Sequence, residues 1–276
     1  MTKKNQLTTA LLLAAGTGSR LHPLTLDAPK CLTEVGGKPI LGRLIENLRS
    51  QGISRLVVVT GHLESCVRDF LEINKGDMLV DYVFNPIYQT TNNLYSLWLA
   101  RQAIKEPFLL IESDLVFESG MLKELLKPDK IAISKILPWM NGTTVALNAD
   151  KRVTAFHAKD SLNNDPKFKT VNIYSLSLQS WQKAIRYLDR YVTDDRVNEY
   201  YEAVFSDMVA DNELRFDAVF FDKNRWYEID TIEDLHQAEL IFPRSQENTS
   251  VTRWLEPLAA NLENNGINGK ILTNQV

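Results

Sequence analysis

Short apolar runs alternate with amphipathic segments through the first part of the chain. Residues 40, 41, 44, 45 and 48 are apolar at helical spacing, after Pro39 and before Gly52. The pattern predicts, in chain order, a strand from Leu11, a helix between Pro39 and Gly52, a strand over 55–60, a helix over 64–73, a strand over 78–84, a helix over 93–104 and a strand over 107–112. This alternation is typical of a doubly wound, mainly parallel sheet.

After residue 130 the predicted strands follow one another without helices between them. They cover 130–136, 143–147, 152–157 and 170–178, which favours antiparallel pairing. The remaining predicted elements are helices over 180–191, 197–211 and 231–241, with Thr231 and Asp234 as a capping box, and strands over 215–222 and 226–230. The predicted fold class is α/β: a doubly wound, mixed, mainly parallel Rossmann-like sheet with a smaller antiparallel layer.

The composition turns polar at the C-terminal end of the chain. Polar residues dominate from Pro243, and a last amphipathic piece covers 254–262. We therefore predict one domain over residues 1–242 and a linker or C-terminal extension over 243–276. Such a segment is expected to lead to a further domain, fused or separate.

Composition and charge limit the classes of partner. The 276 residues are 44% hydrophobic and 24% charged, as is usual for a globular protein. A net charge of −4 and a pI near 5.7 argue against nucleic-acid binding. Cys31 and Cys66 show neither a disulfide framework nor metal-ligand spacing, which fits a cytoplasmic location. No apolar run has membrane-spanning length, so no membrane contact is expected. The oligomeric state stays open, with a homo-oligomer as one option.

A glycine turn at 16–18 follows the first predicted strand. Its backbone N–H groups are suited to cradle phosphate oxygens, and Arg20 and Lys30 add positive charge. A dinucleotide fingerprint is excluded because Leu21 replaces its third glycine. A Walker loop is excluded because the glycines lead into Ser19 and Arg20 rather than into Gly-Lys.

The motif around this turn extends over residues 14–41. It reads A-A-G-x-G-x-R-L-x-P-L-T-x-x-x-P-K-x-L-x-x-V-G-G-K-P-I-L. This run resembles the signature of nucleotidyltransferases, which join a nucleoside triphosphate to a sugar phosphate or a phosphorylated alcohol. The resemblance implies that Arg20 and Lys30 act in catalysis by contacting phosphate. The nucleotide site that it implies includes Ala14, Ala15, Gly16, Thr17 and Gly18.

Nucleotidyl transfer brings two anions together, so it depends on charge neutralisation and alignment. Asp114 and Asp230 each follow an apolar segment, and a carboxylate at a strand end points into the ligand crevice. From the residues alone, a helix cap or a solvated turn is an equal alternative for each. The resemblance implies that this pair holds a metal, and Mg²⁺ suits carboxylate and phosphate ligands.

A second catalytic lysine, which the resemblance implies, has two candidates. Lys159 and Lys169 both lie in the predicted antiparallel part, and the family's usual Glu-Lys-Pro motif is absent. The choice between them therefore stays open.

Base recognition is expected after the strand over 78–84. Asn85 and Asn93 resemble the base-recognising segment of the family, and Ser96 lies a turn later on the same helix face. Amide side chains offer both hydrogen-bond donors and acceptors, as recognition of a base requires. A simple helix N-cap is the alternative for Asn93.

The residues at 85–88, 92–98, 169–174 and 227–230 resemble cytidylyltransferases for phosphocholine and related compounds, a branch that includes phosphonate biosynthesis. The resemblance implies transfer from CTP to a small phosphorylated amino alcohol or aminophosphonate, with release of pyrophosphate. Phosphocholine, phosphoethanolamine and 2-aminoethylphosphonate are the candidate acceptors, bound by the antiparallel layer. Aromatic faces and a carboxylate recognise an ammonium group, and the candidates are Trp139, Tyr174, Trp226 and Glu228.

Two other functions are compatible with the same fold. One is a sugar-1-phosphate nucleotidyltransferase, against which the missing Glu-Lys-Pro motif counts. The other is a non-catalytic nucleotide-sensing domain. The joint presence of Arg20, Lys30, Asp114 and Asp230 argues against a non-catalytic domain, which would have lost such residues.

Overall fold

The computed structural model describes residues 6–137, 140–158 and 167–244. Its strands are β1 (Thr9–Ala14), β2 (Glu34–Val35), β3 (Lys38–Pro39), β4 (Arg55–Thr60), β5 (Leu79–Phe84), β6 (Phe108–Glu112), β7 (Leu115–Phe117), β8 (Lys130–Lys135), β9 (Thr144–Leu147), β10 (Val153–His157), β11 (Lys167–Leu176), β12 (Asp217–Phe221) and β13 (Trp226–Glu228). The α-helices are α1 (Ile40–Ser50), α2 (Glu64–Asn74), α3 (Asn93–Ala100), α4 (Leu178–Thr193), α5 (Tyr201–Ala210) and α6 (Ile232–Ile241). Short 3₁₀ helices cover Ser19–Leu21, Lys30–Leu32 and Ser119–Leu126.

Within these residues the central sheet has nine strands, in the order β10-β9-β11-β6-β1-β4-β5, with β8 pairing β11 and β12 pairing β8. Strands β6, β1, β4 and β5 are parallel neighbours, as the alternating pattern predicts. Strand β11 runs antiparallel to β6, β8 and β9. The predicted doubly wound, mixed and mainly parallel fold is confirmed.

Most of the antiparallel strands belong to the central sheet itself. One half of the ten-residue strand β11 pairs with β9, and the other half pairs with β6. Strand β11 therefore joins the parallel strands and the antiparallel strands into one sheet. Separate two-stranded antiparallel sheets are formed by β2 with β3 and by β7 with β13.

The core lies on both faces of the central sheet. In β1, Leu11 and Leu13 face one cluster, whereas Ala10 and Leu12 face the other, because side chains alternate along a strand. Helices α3, α4 and α5 contribute to the first cluster, and α1, α2 and Ser119–Leu126 contribute to the second. Burial on both sides explains why β1 is a continuous apolar run.

A third, smaller cluster joins the signature region to the C-terminal helix. Leu21, Val35, Val116, Ile229 and Ala238 pack together, so the glycine turn, both small sheets and α6 share one apolar contact. The predicted capping box is present: Thr231 Oγ1 accepts from Asp234 N, and Asp234 Oδ2 accepts from Thr231 N. Side-chain positions at the ligand crevice thereby depend on α6.

Several element boundaries differ from the predictions, and three differ by three residues or more. Helix α3 ends at Ala100 rather than at 104, α5 begins at Tyr201 rather than at 197, and β11 begins at Lys167 rather than at 170. The backbone carbonyl of Val197 accepts from Asn92 N, so this segment caps α3 instead of extending α5. The predicted piece at 254–262 lies outside the described residues. Among the residues described, no helix combines the length and apolar character needed to cross a bilayer.

Candidate active site

A cleft of about 860 Å³ opens at the carboxyl ends of the parallel strands. Ligands bind at this edge in doubly wound sheets. The predicted site residues on its wall are Ala15, Gly16, Thr17, Gly18, Arg20, Lys30, Asn85, Asn93, Ser96, Asp114, Lys169, Glu228 and Asp230. The wall also holds Glu112, Asn172, Tyr200 and Glu202, which were not predicted as site residues. Ala14 is buried at the end of β1 and is not on the wall.

The glycine turn has the backbone that its sequence predicts. Gly18 has φ +64, and a Cβ there would lie 3.0 Å from the Cβ of Lys30. Thr25 Oγ1 donates to the carbonyl of Gly18 at 2.8 Å. The close approach of Lys30 therefore requires glycine at position 18.

Gly61 directly follows β4 and packs closely against Ala15, the residue before the same turn. A Cβ there would lie 2.7 Å from the carbonyl oxygen of Ala15 and 2.8 Å from the Cβ of Tyr88. His62 N donates to the carbonyl of Ala15 at 3.1 Å. Sequence reasoning missed Gly61, although an isolated glycine after a strand is a signal of close backbone approach.

A network of four charged side chains lies beside the turn. Lys30 Nζ is 2.8 Å from Asp114 Oδ2 and 2.7 Å from Asp230 Oδ1. Arg20 Nη2 lies 2.7 Å from the same Asp230 oxygen. Asp114 and Asp230, which lie far apart in the chain, are thus brought together with Arg20 and Lys30 of the signature.

The pKa values in this network follow from burial and from the opposite charges. Burial alone would lower the pKa of Lys30, but Asp114 and Asp230 outweigh it and hold that pKa above its usual range. Burial alone would raise the pKa of Asp230, but the charges of Lys30 and Arg20 lower it. Lys30 is therefore a fixed cation and Asp230 a fixed anion near neutral pH.

The two aspartates are held together by backbone pairing. Strand β7 follows Asp114, β13 precedes Asp230, and Glu228 is the partner of Leu115 in their ladder. Ile229 N donates to the carbonyl of Asp114 at 3.0 Å. Asp234 Oδ2 accepts from Asp230 N at 3.1 Å, which ties Asp230 to the first turn of α6.

The aspartate pair fits a hard cation. Asp114 Oδ1 is buried without a hydrogen-bond partner, although a buried carboxylate oxygen normally has one. No group of three or more Asp, Glu, His or Cys side chains within the described residues has the arrangement of a metal site. A pair of carboxylates matches Mg²⁺, which keeps water and substrate phosphates among its ligands.

Lys169 is buried in the cleft wall at 2% exposure. Its Nζ donates to the carbonyl of Thr170 at 2.7 Å and lies 3.1 Å from Glu228 Oε2. Lys169 therefore already has a carboxylate partner. The other predicted lysine, Lys159, lies outside the described residues.

Asn172 lies at an irregularity in β11, where the register with β8 shifts between Thr170 and Tyr174. Its φ of +57 is unusual for a residue other than glycine. Asn172 Nδ2 donates to Glu228 Oε1 at 2.9 Å, and Thr170 Oγ1 donates to Asn172 Oδ1 at 3.0 Å. Strained backbone is common at functional sites, and here it directs an amide at a cleft carboxylate.

The predicted base-reading amides are occupied by internal hydrogen bonds. Asn85 Nδ2 donates to Thr91 and Ser96, each at 3.2 Å, and its Oδ1 accepts from Ile87 N at 3.1 Å. Asn93 Nδ2 donates to Glu112 Oε1 at 3.0 Å. Both amides hold the walls of the cleft together. Asn92, one residue earlier, is the N-cap of α3.

Of the predicted aromatic residues, the two that the structure describes, Tyr174 and Trp226, do not line the cleft. Tyr174 is 0% exposed and packs against Tyr201 and Phe205 in the core. Trp226 is also buried and borders only a small side pocket next to Glu228. Trp139 lies outside the described residues. Tyr200, which was not predicted, lines the cleft with 60% exposure.

Three glutamates with raised pKa values lie on the cleft wall. Burial, with the charges of Asp114 and Glu202, raises the pKa of Glu112 well above its usual value. Burial raises the pKa of Glu202 to about 7. Burial also raises the pKa of Glu228, against the opposing charge of Lys169. The cleft wall thus combines a cluster of two cations and two aspartates with three further carboxylates.

This geometry defines a class: a doubly wound α/β protein with a glycine turn and a lysine–aspartate cluster beside the carboxyl ends of its parallel strands. The chain belongs to the nucleotidyl transferase family of enzymes, whose sequence profile matches residues 9–244. The sequence resemblance to that family is therefore confirmed.

Two named proteins and one structure illustrate the similarity. CMP-5'-(3-aminopropyl)phosphonate synthase of Streptomyces rubellomurinus is 33% identical over 251 residues, which cover 86% of this chain and 40% of that longer protein. Choline-phosphate cytidylyltransferase of Streptococcus pneumoniae is 25% identical, over 84% of this chain and 97% of its own length. The structure of CTP:phosphocholine cytidylyltransferase from Streptococcus pneumoniae has a TM-score of 0.73 at 24% identity, covering 86% of this chain and 99% of that one.

Proposed function

We propose that this chain is a Mg²⁺-dependent cytidylyltransferase that joins CTP to a small amino-phosphate or aminophosphonate and releases pyrophosphate. The observation that carries the proposal is the charge of the cleft wall, which holds both cations and carboxylates. Lys30 and Arg20 lie beside Asp114 and Asp230, and the same wall holds Glu112, Glu202 and Glu228. A zwitterion with a phosphate and an ammonium group is complementary to both kinds of side chain.

The reaction requires one bond to form and one to break. A phosphate or phosphonate oxygen of the acceptor attacks the α-phosphorus of CTP, while the bond to the β-phosphate breaks and pyrophosphate leaves. The N–H groups of the turn at 16–18 bind triphosphate oxygens. Lys30 stabilises the negative charge that both substrates bring to the α-phosphorus, because its own charge is fixed.

Asp114 and Asp230 would hold Mg²⁺ together with the phosphates. The converging carboxylates and the unpartnered Asp114 Oδ1 support this assignment. Bound there, the ion supplies positive charge next to the triphosphate. Lys169 stays a candidate for a phosphate contact only if the phosphate competes with Glu228 for it.

The choice of CTP and of an amino acceptor is supported by two relatives. One is named as a synthase of a CMP-linked aminopropylphosphonate, and the other as a choline-phosphate cytidylyltransferase. The proposed acceptor class has a phosphorus oxyanion and an amine in common with both. Because Asn85 and Asn93 are engaged internally, Gln89 on the cleft wall is our candidate for reading the cytosine.

Initial rates of pyrophosphate release test the proposal. CTP, UTP, dTTP, ATP and GTP are each combined with phosphocholine, phosphoethanolamine, 2-aminoethylphosphonate and glucose-1-phosphate in the presence of Mg²⁺. We expect turnover with CTP and an amino compound, and loss of turnover when a chelator removes the metal.

The same matrix separates the alternatives. Turnover with glucose-1-phosphate and not with any amine would assign the chain to sugar activation. Nucleotide binding without turnover across the matrix would contradict an enzymatic role for the cleft.

A further inference from the structure

The signature over residues 14–41 contains a second glycine pair, Gly36 and Gly37, and neither residue is on the cleft wall. The pair forms the two-residue turn between β2 and β3, a hairpin that begins four residues after Lys30. Gly36 has φ +58 and Gly37 has φ +75. Two positive φ values in a two-residue hairpin turn favour glycine at both positions. The contacts of the pair add a second requirement for glycine.

The segment that follows α6 lies directly against this glycine pair. A Cβ at Gly36 would overlap the backbone carbonyl oxygen of Phe242 and would lie 3.0 Å from the carbonyl carbon of Pro243. A Cβ at Gly37 would lie 2.9 Å from Nε of Arg244. Residues 242–244 can therefore approach the hairpin this closely only because both turn residues lack a side chain. We call Gly36 and Gly37 the glycine seat.

Other contacts attach the same end of α6 to the hairpin. Arg43 of α1 donates from Nη2 to the carbonyl of Val35 at 2.6 Å. Its guanidinium also lies over the ring of Phe242, 5.7 Å from the ring centroid. Ile241 and Phe242 pack against the third apolar cluster, which includes Val35. The C-terminal end of α6 is thus fixed by close backbone packing, a cation–π contact and apolar burial.

The other end of α6 is attached to the aspartate pair. Asp234 Oδ2 accepts from the backbone N–H of Asp230 at 3.1 Å. Leu235 and Ala238 pack in the third cluster with Ile229, the residue before Asp230. Helix α6 has ten residues, so it is a rigid element about 15 Å long. A displacement of its C-terminal end therefore shifts its N-terminal end and Asp230 with it.

We infer that Gly36 and Gly37 are positioning residues for the metal: they seat the C-terminal end of α6 and thereby hold Asp230 beside Asp114. The inference rests on the proposed function, because it requires that Asp230 binds Mg²⁺ together with the nucleotide. It gives the second glycine pair of the signature a role distinct from that of the turn at 16–18. Loss of a group that orients a metal ligand lowers metal affinity by roughly 10- to 100-fold.

Isothermal titration calorimetry with CTP tests the inference without turnover. The dissociation constant of CTP is measured once with Mg²⁺ and once with excess chelator, and the ratio of the two values gives the gain in affinity that the metal supplies. In Gly36→Ala the added Cβ meets backbone rather than a flexible side chain, so α6 must shift. We expect the metal-dependent gain to fall by roughly 10-fold in this variant, while the affinity for metal-free CTP stays unchanged.

Gly52→Ala is the matched control for backbone strain. Gly52 has φ +82, but a Cβ there would have nothing within 4 Å. The variant therefore introduces an unfavourable φ without a clash, and we expect it to keep the full metal-dependent gain. A full gain in Gly36→Ala, or an equal loss in Gly52→Ala, would overturn the inference.

Gly37→Ala provides a second test that does not depend on the folding of Gly36→Ala. Its Cβ meets the side chain of Arg244, which is flexible, so we expect a smaller loss of the metal-dependent gain. Adding Arg244→Ala removes the clashing atom and should restore the gain, which a double-mutant cycle measures. A gain in Gly37→Ala equal to that of the wild type, or a loss that Arg244→Ala does not restore, would reject the role of the glycine seat.

The outcomes distinguish this inference from the function on which it rests. If Mg²⁺ tightens CTP binding equally in the wild-type protein and in every variant, the metal assignment stands and the role of the glycine seat is rejected. If Mg²⁺ leaves the CTP affinity of the wild-type protein unchanged, both the metal assignment and the inference are rejected.

Discussion

Replacing Glu202 by glutamine should stabilise the ligand-free protein in a pH-dependent way. Burial raises the pKa of Glu202 from 4.5 to about 7, so the folded state keeps a proton that the unfolded state has lost between these pH values. The folded state then binds more protons than the unfolded state, and stability falls as pH rises through this window. Above pH 7 the penalty is fully present.

The size of the effect follows from the same pKa values. Since each tenfold change in proton affinity is worth about 1.4 kcal/mol, the rise from 4.5 to about 7 corresponds to about 3 kcal/mol. Linkage gives a penalty of about 1 kcal/mol at pH 5 and about 3 kcal/mol at pH 8. Glu202→Gln removes it, which for a chain of this size raises Tm by roughly 6–12 °C at pH 8.

Thermal and urea unfolding of the wild-type protein and Glu202→Gln at pH 5 and pH 8 measure this difference. The glutamine amide is uncharged, so its own effect on the free energy of unfolding is the same at both pH values. The difference between the effects of Glu202→Gln at pH 5 and at pH 8 therefore tests the raised pKa of Glu202. Glu239→Gln, an exposed change, should alter stability by less than about 0.5 kcal/mol at either pH. An equal effect of Glu202→Gln at both pH values, or a less favourable effect at pH 8 than at pH 5, would show that burial does not raise the pKa of Glu202.

Three further variants test the site. Lys30→Met should leave the fold intact but lower kcat/KM by roughly 10²- to 10³-fold in pyrophosphate-release assays, because it removes the positive charge beside Asp114 and Asp230. A near-normal rate would contradict the assignment of Lys30 to charge stabilisation. Gly61→Ala should raise KM for the nucleotide, because the added Cβ would lie 2.7 Å from the Ala15 carbonyl oxygen and displace the residue before the glycine turn. The control Gly120→Ala, whose Cβ would have nothing within 4 Å, should leave KM unchanged. Equal KM values for the two variants would show that Gly61 does not hold the turn in place. Asp234→Ala should lower the free energy of unfolding by about 1–2 kcal/mol, because it removes the cap of α6. It should also raise the Mg²⁺ concentration needed for half-maximal activity, because the backbone N–H of Asp230 loses its hydrogen bond to Asp234. An unchanged Mg²⁺ requirement would show that this hydrogen bond does not position Asp230.

The parts of the site predicted from the sequence are those encoded by local motifs. Lys30 lies in one continuous signature with Arg20, and each aspartate comes shortly after a predicted strand. Thr231 and Asp234 were identified because a capping box is a contact between residues near in sequence. Strand ends of a parallel sheet meet at one edge, so the predicted topology places the glycine turn and Asp114 together. The convergence of Asp230 with them depends instead on the pairing of β13 with β7.

The parts that were missed depend on contacts between distant segments. Asn172 faces the cleft only because β11 is irregular there with φ +57, which hydrophobic alternation does not reveal. Glu202 is an early residue of a helix that packs against β10 and α4, and its burial comes from those neighbours. Tyr174 was expected in the site, but the apolar environment of Tyr201 and Phe205 holds it in the core. Composition alone did not distinguish these outcomes.

The most direct measurement of the central claim is a ³¹P NMR time course of CTP with 2-aminoethylphosphonate and Mg²⁺. We expect the CTP resonances to be replaced by those of pyrophosphate and a CMP–phosphonate anhydride in a one-to-one ratio, and Lys30→Met to slow the appearance of both by roughly 10²- to 10³-fold. Release of pyrophosphate together with free CMP, or an identical time course without the acceptor, would contradict a transferase. Absence of any new resonance with each of the proposed amino acceptors would contradict the assigned function.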